Sequence, residues 1–216
     1  MRQKRGIINQ IKGLSIFDGA MVSTAELQER KAAVLEFNAG ERLHGGGVEY
    51  RGLGVLLLGT ADVMRRSFQG AMFMSRLKKG DLFGAATILA EEGDFAPEII
   101  CKSRCRVLFI PEQSWLDWLH GDEALMRNYL RYLNGRLRFL NMRLNALSQN
   151  TIENRVLTFL ASASVNGAYA VGSFTELAMM LCIGRASLYR ALDTLEGQGK
   201  LRREGGTIEI IKEKVI

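Results

Sequence analysis

Several residue types on which whole classes of function depend are scarce in this sequence. Its 216 residues include three cysteines and two histidines. Cys101, Cys105 and Cys182 are odd in number and form no CxxC pair, which argues against a disulfide framework or a zinc knuckle and leaves reduced thiols in the cytoplasm as the expectation. An iron–sulfur cluster needs four thiolates, and the first 100 residues contain none. His44 and His120 lie far apart, whereas a cupin-like metal enzyme converges several histidines and carboxylates on one point, so no metal site is expected. A nucleophile–base pair and a phosphate-cradling glycine loop are also missing, and no catalytic residue is assigned. No stretch approaches the roughly 18 uninterrupted apolar residues of a membrane span. The N-terminus MRQKRGIINQIKGLSIFDGAM starts basic, but Asn9, Gln10, Lys12 and Asp18 interrupt its apolar residues and no small-residue cleavage site follows, so neither a signal peptide nor a membrane partner is expected.

Charge is biased but not extreme. Lys and Arg number 29 against 23 Asp and Glu, a net charge of +6 that permits an anionic partner without requiring one. Residues 151–216 hold eight basic residues against seven acidic ones, so any basic footprint there must come from arrangement rather than surplus.

With 47% hydrophobic residues the chain can bury a sizeable core, and three textures divide it. Short apolar or alternating runs occur at Ala33–Phe37, Gly54–Leu58, Ala61–Met64, Ala71–Leu77, Glu98–Cys101 and Arg106–Ile110. They are separated by turn signals at Asn38-Ala39-Gly40, Lys79-Gly80-Asp81 and Glu92-Gly93-Asp94, a pattern that predicts an antiparallel β-roll or jelly roll over residues 1–120. Pro111 marks the change from the last strand to a helix beginning near Glu112. Over residues 121–150 the β-branched residues disappear, and Met126, Leu130, Leu133, Leu137, Leu140, Leu144 and Leu147 follow one another at alternating spacings of four and three. That heptad stripe is narrower than a globular core needs and predicts a long helix with a seam against one partner helix, most simply that of a second copy. Tyr129, Tyr132 and Phe139 lie off the seam, where the β domain can cover them, and Arg127, Arg131, Arg136, Arg138 and Arg143 are expected to keep the remaining faces solvated. A core helix with incidental leucines is the alternative.

Residues 151–216 predict a helix over 151–164, a turn at Asn166-Gly167, two short helices joined tightly, and a hairpin of Leu201–Arg203 and Thr207–Ile211 around Glu204-Gly205-Gly206. In Ser173-Phe-Thr-Glu-Leu-Ala-Met-Met-Leu-Cys-Ile-Gly-Arg-Ala-Ser-Leu-Tyr-Arg-Ala-Leu192, Ser173 can cap the first helix with Glu176 completing a capping box, and Gly184 can cap the second. Leu177, Leu181, Leu188 and Leu192 supply the shared core, with Ala178 at the close crossing. The second helix then offers Arg185, Ser187, Tyr189 and Arg190, guanidinium and hydroxyl groups of the kind that take guanine edges and phosphate oxygens in a major groove. An ordinary pair of core helices is the competing reading of such a motif.

Taken together, Gly80-Asp81-Leu82-Phe83-Gly84 with Glu91-Glu92-Gly93, the leucine seam, and Gly184-Arg-Ala-Ser-Leu-Tyr-Arg-Ala-Leu192 with Leu195-Glu196 resemble the cyclic-AMP receptor protein and FNR (Crp/Fnr) family of transcription regulators, over nearly the whole chain. The resemblance implies an α+β protein: an N-terminal β-roll of the cyclic-nucleotide-binding kind, a long dimerisation helix and a C-terminal winged helix-turn-helix. It implies double-stranded DNA and a second copy as partners, with RNA polymerase and a small-molecule effector as further ones. It places DNA contacts at Ser173, Thr175, Arg185, Ser187, Tyr189 and Arg190, and an effector pocket at Phe83, Gly84, Ala85, Ala96, Phe139, Leu140 and Asn141.

The chain departs from that family at informative positions. Cyclic-nucleotide binders of the family hold the ribose with a glutamate and the cyclic phosphate with an arginine–serine pair, and Ala85, Ala96 and Pro97 stand at those positions. A buried phosphate without such donors would be left unpaired, so cyclic AMP is not the expected effector, and the stretch at Phe139–Asn141 lacks an adjacent Thr-Ser pair. An apolar ligand or none fits better. Ala186 replaces a glutamate that often sits between the two arginines, so a different operator is expected, or a regulator that has lost DNA binding. Cys182 stands at a turn position where glycine is common and is expected to be a small buried residue. Oxidation sensing through Cys101 and Cys105, four apart on one strand, and haem ligation by His44 or His120, expected at the surface or in loops, are the lesser readings.

Overall fold

The computed structural model describes residues 2–45, 51–67, 70–90 and 97–211, so that the turn at Glu92-Gly93-Asp94 and Ala96 lie outside it. The chain forms two compact units, Met1–Asn134 and Gly135–Ile216. The division falls inside the long helix, where the sequence reading placed boundaries at its two ends.

The first unit contains α1 (Arg2–Lys12), α2 (Thr24–Glu29), β1 (Ala33–Phe37), β2 (Arg42–His44), β3 (Gly52–Leu58), β4 (Ala61–Ser67), β5 (Gly70–Leu77), β6 (Leu82–Phe83), β7 (Glu98–Cys101), β8 (Cys105–Pro111), α3 (Glu112–Gly121) and the beginning of α4 (Glu123–Leu147). The strands make two four-stranded antiparallel sheets, ordered β1-β8-β3-β6 and β2-β7-β4-β5. Every strand expected from sequence is present. β2 and β6 were missed because two or three residues display no period.

β3 shows why its sequence reads as an unbroken apolar run, for it is buried on both faces. Leu53, Val55 and Leu57 join Leu108 and Ile110 of β8 in a core covered by Ile11, Phe17, Trp115, Trp118 and Leu125. Leu56 points the other way, between the sheets, with Leu43, Val63, Leu77, Phe83, Ile99 and Val107. Gly54 is required there: a Cβ at that position would stand 2.2 Å from Cζ of Phe83. The aromatic contacts Phe17–Trp118 at 5.7 Å and Trp115–Tyr129 at 5.3 Å knit the N-terminal segment, α3 and α4 together. Truncating a side chain such as Trp115, which is fully buried, typically costs about 3–5 kcal/mol.

α1 and the turn Ser15–Phe17 lie in the stretch that the sequence shows only not to be a leader, and α2 carries no sequence expectation. They pack on this core, and Asn128 of α4 fastens them by donating from Nδ2 to the carbonyls of Ile16 (3.2 Å) and Asp18 (2.7 Å).

The second unit holds the rest of α4, α5 (Ile152–Ala163), β9 (Ala168–Ala170), α6 (Phe174–Met180), α7 (Arg185–Gly197), β10 (Leu201–Glu204) and β11 (Thr207–Ile210), the strands ordered β10-β11-β9. Thr151 caps α5 by accepting the amide of Asn154. Val156, Phe159, Leu160, Leu177, Ala178, Leu181, Leu188, Leu192, Leu195 and Ile208 are its buried apolar core. This is a winged helix-turn-helix, with β9 as a third strand the sequence did not announce.

Candidate nucleic-acid interface

The local sequence sets the second helix of the motif. Ser173 Oγ accepts the amide of Glu176 (3.3 Å), which starts α6 as expected of its cap. After Met180 the chain turns through Leu181–Gly184, with the amides of Cys182 and Ile183 donating to Met179 O (3.2 Å) and Ala178 O (3.1 Å). Cys182 takes φ +53°, a left-handed conformation that favours glycine, and its thiol is exposed. The expectation of a buried residue was wrong: the position selects a backbone angle, not a packing volume. Gly184, extended, then opens α7.

On α7 the core side is Leu188, Ala191, Leu192 and Leu195, and the residues expected to contact DNA lie off that side. Arg185 and Arg190 are exposed, Ser187 and Tyr189 half-buried. Arg185 Cζ lies 5.8 Å from the Tyr189 ring centroid, and Tyr189 stacks on Phe174 at 5.3 Å. Arg190 Nη2 reaches Ser187 Oγ at 3.4 Å. Among the described residues neither guanidinium has a carboxylate partner, while the wing's are paired: Arg202 with Glu204 (3.5 Å), and Arg203 with Asp193 (2.7 Å) and Glu196 (2.6 Å). The Arg203 backbone N–H and guanidinium beside Glu196 hold that carboxyl below its ordinary range. Ser173 is half-buried and Thr175 exposed at the start of α6.

Arg143, expected on a solvated face, is 3% exposed: Nε donates to Met180 O (2.8 Å), Nη2 lies 3.9 Å from Cys182 Sγ, and Arg155 donates to Leu181 O (3.3 Å). The two arginines hold the end of α6 and the turn. Nothing local in the sequence signals this, because the partners are 37 and 26 residues away.

Along α4, Leu130, Leu133, Leu137, Leu140 and Leu144 are between 37% and 66% exposed. Leu147 is half-buried, and Met126, the first of the stripe, packs instead against the core of the first unit. Tyr129 is buried and Tyr132 donates to Leu82 O (2.9 Å), as the off-seam aromatics should. Phe139 contacts the guanidinium of Arg136 at 5.3 Å.

Within the first unit the expected effector residues do not share one face. Phe83 faces between the sheets while Ala85 packs against the helix-covered core. Gly84 has φ +80°, and a Cβ there would stand 2.2 Å from Gly52 O. Phe139, Leu140 and Asn141 belong to the second unit. A cavity of about 340 Å³ in the first unit involves Ser15, Asp18, Asn128, Arg131 and Tyr132, but Asn128 and Tyr132 already bond the backbone, and Arg131 reaches Asn128 Oδ1 (3.3 Å).

Cys101 and Cys105 are not on one strand, as had been expected; they end β7 and begin β8, both buried. Burial pushes the Cys101 thiol up to about 12, so it is protonated and a poor nucleophile at neutral pH. His44, expected at the surface or in a loop, is 4% exposed within β2; His120 is exposed. Among the described residues no group of three His, Cys, Asp or Glu could hold a metal, and no helix is long and apolar enough to cross a membrane.

Residues 34–122 match the family model of the cyclic nucleotide-binding domain. That match defines the class of the first unit, and solved structures extend the likeness to most of the chain. FixK2 from Bradyrhizobium japonicum is 21% identical, covering 84% of this chain and 93% of that one, with a TM-score of 0.57. A CooA mutant from Carboxydothermus hydrogenoformans is 17% identical over 91% and 90%, with a TM-score of 0.69. A transcriptional regulator of the CRP/FNR family from Thermus thermophilus is 18% identical over 83% and 94%, with a TM-score of 0.51. No curated protein matches the sequence. The fold is thus that of the Crp/Fnr regulators, as the sequence motifs implied.

Proposed function

We propose that the chain is a cytoplasmic transcription regulator of the Crp/Fnr type that binds double-stranded DNA as a homodimer, each copy placing α7 in a major groove. The observation that carries the reading is the pair Arg185 and Arg190, exposed on one helix with no carboxylate partner among the described residues while the neighbouring wing arginines are neutralised. A cation left uncommitted beside paired ones is available to an anionic ligand without first breaking an internal bond. Arg185 and Arg190 take base edges, Ser187 a phosphate oxygen, and Ser173 and Thr175 the backbone beside α6, with Tyr189 at the same surface. The exposed leucines of α4 support a second copy, since a twofold protein presents two reading helices to half-sites about one helical turn apart.

Cyclic AMP is not its effector in this reading. Ala85 offers the ribose no carboxylate, Ala96 and Pro97 offer a cyclic phosphate no charge or hydroxyl, and Ala85 packs against the helix-covered core. An apolar effector, or none, acts through the roll, and RNA polymerase is the downstream partner. No enzymatic activity is assigned.

Selection of duplexes from a random pool by the purified protein tests the proposal. Enrichment of a twofold-symmetric site, unaltered by added cyclic AMP, is expected; no enrichment at low salt, with cell extract present, would overturn it. Changing Leu137 and Leu144 together to Lys should convert the dimer to a monomer by light scattering while leaving α7 folded. A retained dimer mass would place the interface elsewhere.

A further inference from the structure

We propose that Tyr189, buttressed by Phe174, is a positioning residue for base readout: its ring is the platform on which the Arg185 guanidinium is set before DNA arrives. The inference rests on the DNA-binding reading above and assigns the origin of its specificity. Arg185 and Tyr189 are four residues apart on α7 and so share a face. The guanidinium carbon lies 5.8 Å from the ring centroid, within reach of the ring's negative face. Tyr189 is in turn in ring contact with Phe174, the first residue of α6, at 5.3 Å and 34°. Phe174 is itself fixed by the Ser173 cap that begins that helix.

The platform matters because of what reading a base demands. Two N–H groups of one guanidinium must meet the O6 and N7 of a guanine together, in the plane of the base pair. A free arginine has many rotamers and must give up that freedom on binding. A ring restrains the guanidinium through its face and leaves every N–H free to donate, whereas a carboxylate would restrain it by occupying those N–H groups. Arg185 has the ring and, among the described residues, no carboxylate. Arg190 differs: its contact is a 3.4 Å hydrogen bond from Nη2 to Ser187 Oγ, which spends a donor and breaks when either group turns to DNA. Arg185 is therefore the preset reader and Arg190 the adaptable one.

Tyr189→Leu keeps apolar volume against Phe174 and removes the ring face, and Tyr189→Phe keeps the ring and removes the hydroxyl. Base preference is read by duplex selection, with thermal melts confirming that each variant folds. Tyr189→Leu should flatten the preference at one base pair per half-site by about tenfold, with the salt dependence of binding unchanged, and Tyr189→Phe should stay within about twofold of wild type. Arg185→Ala combined with Tyr189→Leu should be no worse than Arg185→Ala alone, because the tyrosine acts through the arginine. Wild-type preference in Tyr189→Leu, equal losses in the Leu and Phe variants, or additive losses in the double variant would each overturn the platform. In the DNA-free protein, NMR should show Arg185 side-chain protons shifted upfield by the ring in wild type and not in Tyr189→Leu; unshifted wild-type protons overturn the stack with no DNA involved. A wild-type protein that selects no duplex sinks the DNA-binding reading and this one with it, whereas a selective wild type with an equally selective Tyr189→Leu sinks this one alone.

Discussion

In the roll, arginines answer carboxylates across the strands. Arg76 of β5 faces Asp62 of β4 in register and grips it with two bonds of 2.6 and 3.0 Å, and Arg104 and Arg106 converge on Glu36 of β1, whose carboxyl they hold below its ordinary range. In the helix-turn-helix, Arg185 and Arg190 rest on an aromatic ring and a hydroxyl and meet no carboxylate among the described residues. The contrast separates charge that finishes a fold from charge that is offered outward. Net charge conceals it, because the C-terminal segment is almost neutral by count. A weak overall surplus is therefore compatible with a specific nucleic-acid surface, provided that the paired and unpaired cations lie on different faces.

Arg143 gives the sharpest test of that division, for it lies in the same unit as Arg185 and is buried. Arg143→Ala removes the donor to Met180 O and the packing of its stem, and should cost about 2–4 kcal/mol of stability by urea denaturation. Arg143→Met, which restores the stem, should recover part of it. Arg185→Ala should leave stability within about 0.5 kcal/mol and cost about 1–3 kcal/mol of specific DNA affinity. As the matched control in the roll, Arg104→Ala should leave DNA affinity at the wild-type value. If Arg104→Ala weakened DNA binding as much as Arg185→Ala, the footprint would be diffuse and the comparison would lose its meaning.

Periodicity made much of this architecture legible in the sequence. The heptad stripe marked α4, the alternating or apolar runs marked the longer strands, and the caps Ser173 and Gly184 marked the starts of the two helices of the helix-turn-helix, because each is a local pattern. Contacts between distant residues left no such trace. Asn128 fastening Ile16 and Arg143 reaching Met180 join positions 112 and 37 residues apart, and a polar side chain on a helix reads as solvated until its partner is known. Cys182 failed for another reason, since composition suggests burial for a cysteine whereas a left-handed turn determines where it goes. In the candidate site, Arg185, Ser187, Tyr189 and Arg190 could be named from the motif, but Phe174 could not. Its role needs the packing of α6 on α7, though the four-residue spacing of Arg185 and Tyr189 was already visible.

The smallest effect concerns the wing, where the second unit treats its arginine as the roll does. Glu196 accepts from the Arg203 backbone N–H (2.9 Å) and from its guanidinium, and these bonds, the backbone one foremost, keep the carboxyl ionised below its ordinary value of 4.5. A carboxyl whose value is lowered by folding contributes stability only while ionised. The contribution is complete above 4.5 and disappears as the pH falls below that point and through the lowered value. Glu196→Gln keeps an oxygen for the amide and removes the charge, so its melting temperature should lie slightly below wild type at neutral pH and coincide with it in strong acid. NMR amide shifts of β10 should report the same loosening of the hairpin from α7. A difference that persisted in acid would mean that the shape of the side chain, and not its ion pair, ties the wing down, and Arg203 would then be no counterpart of the paired arginines of the roll.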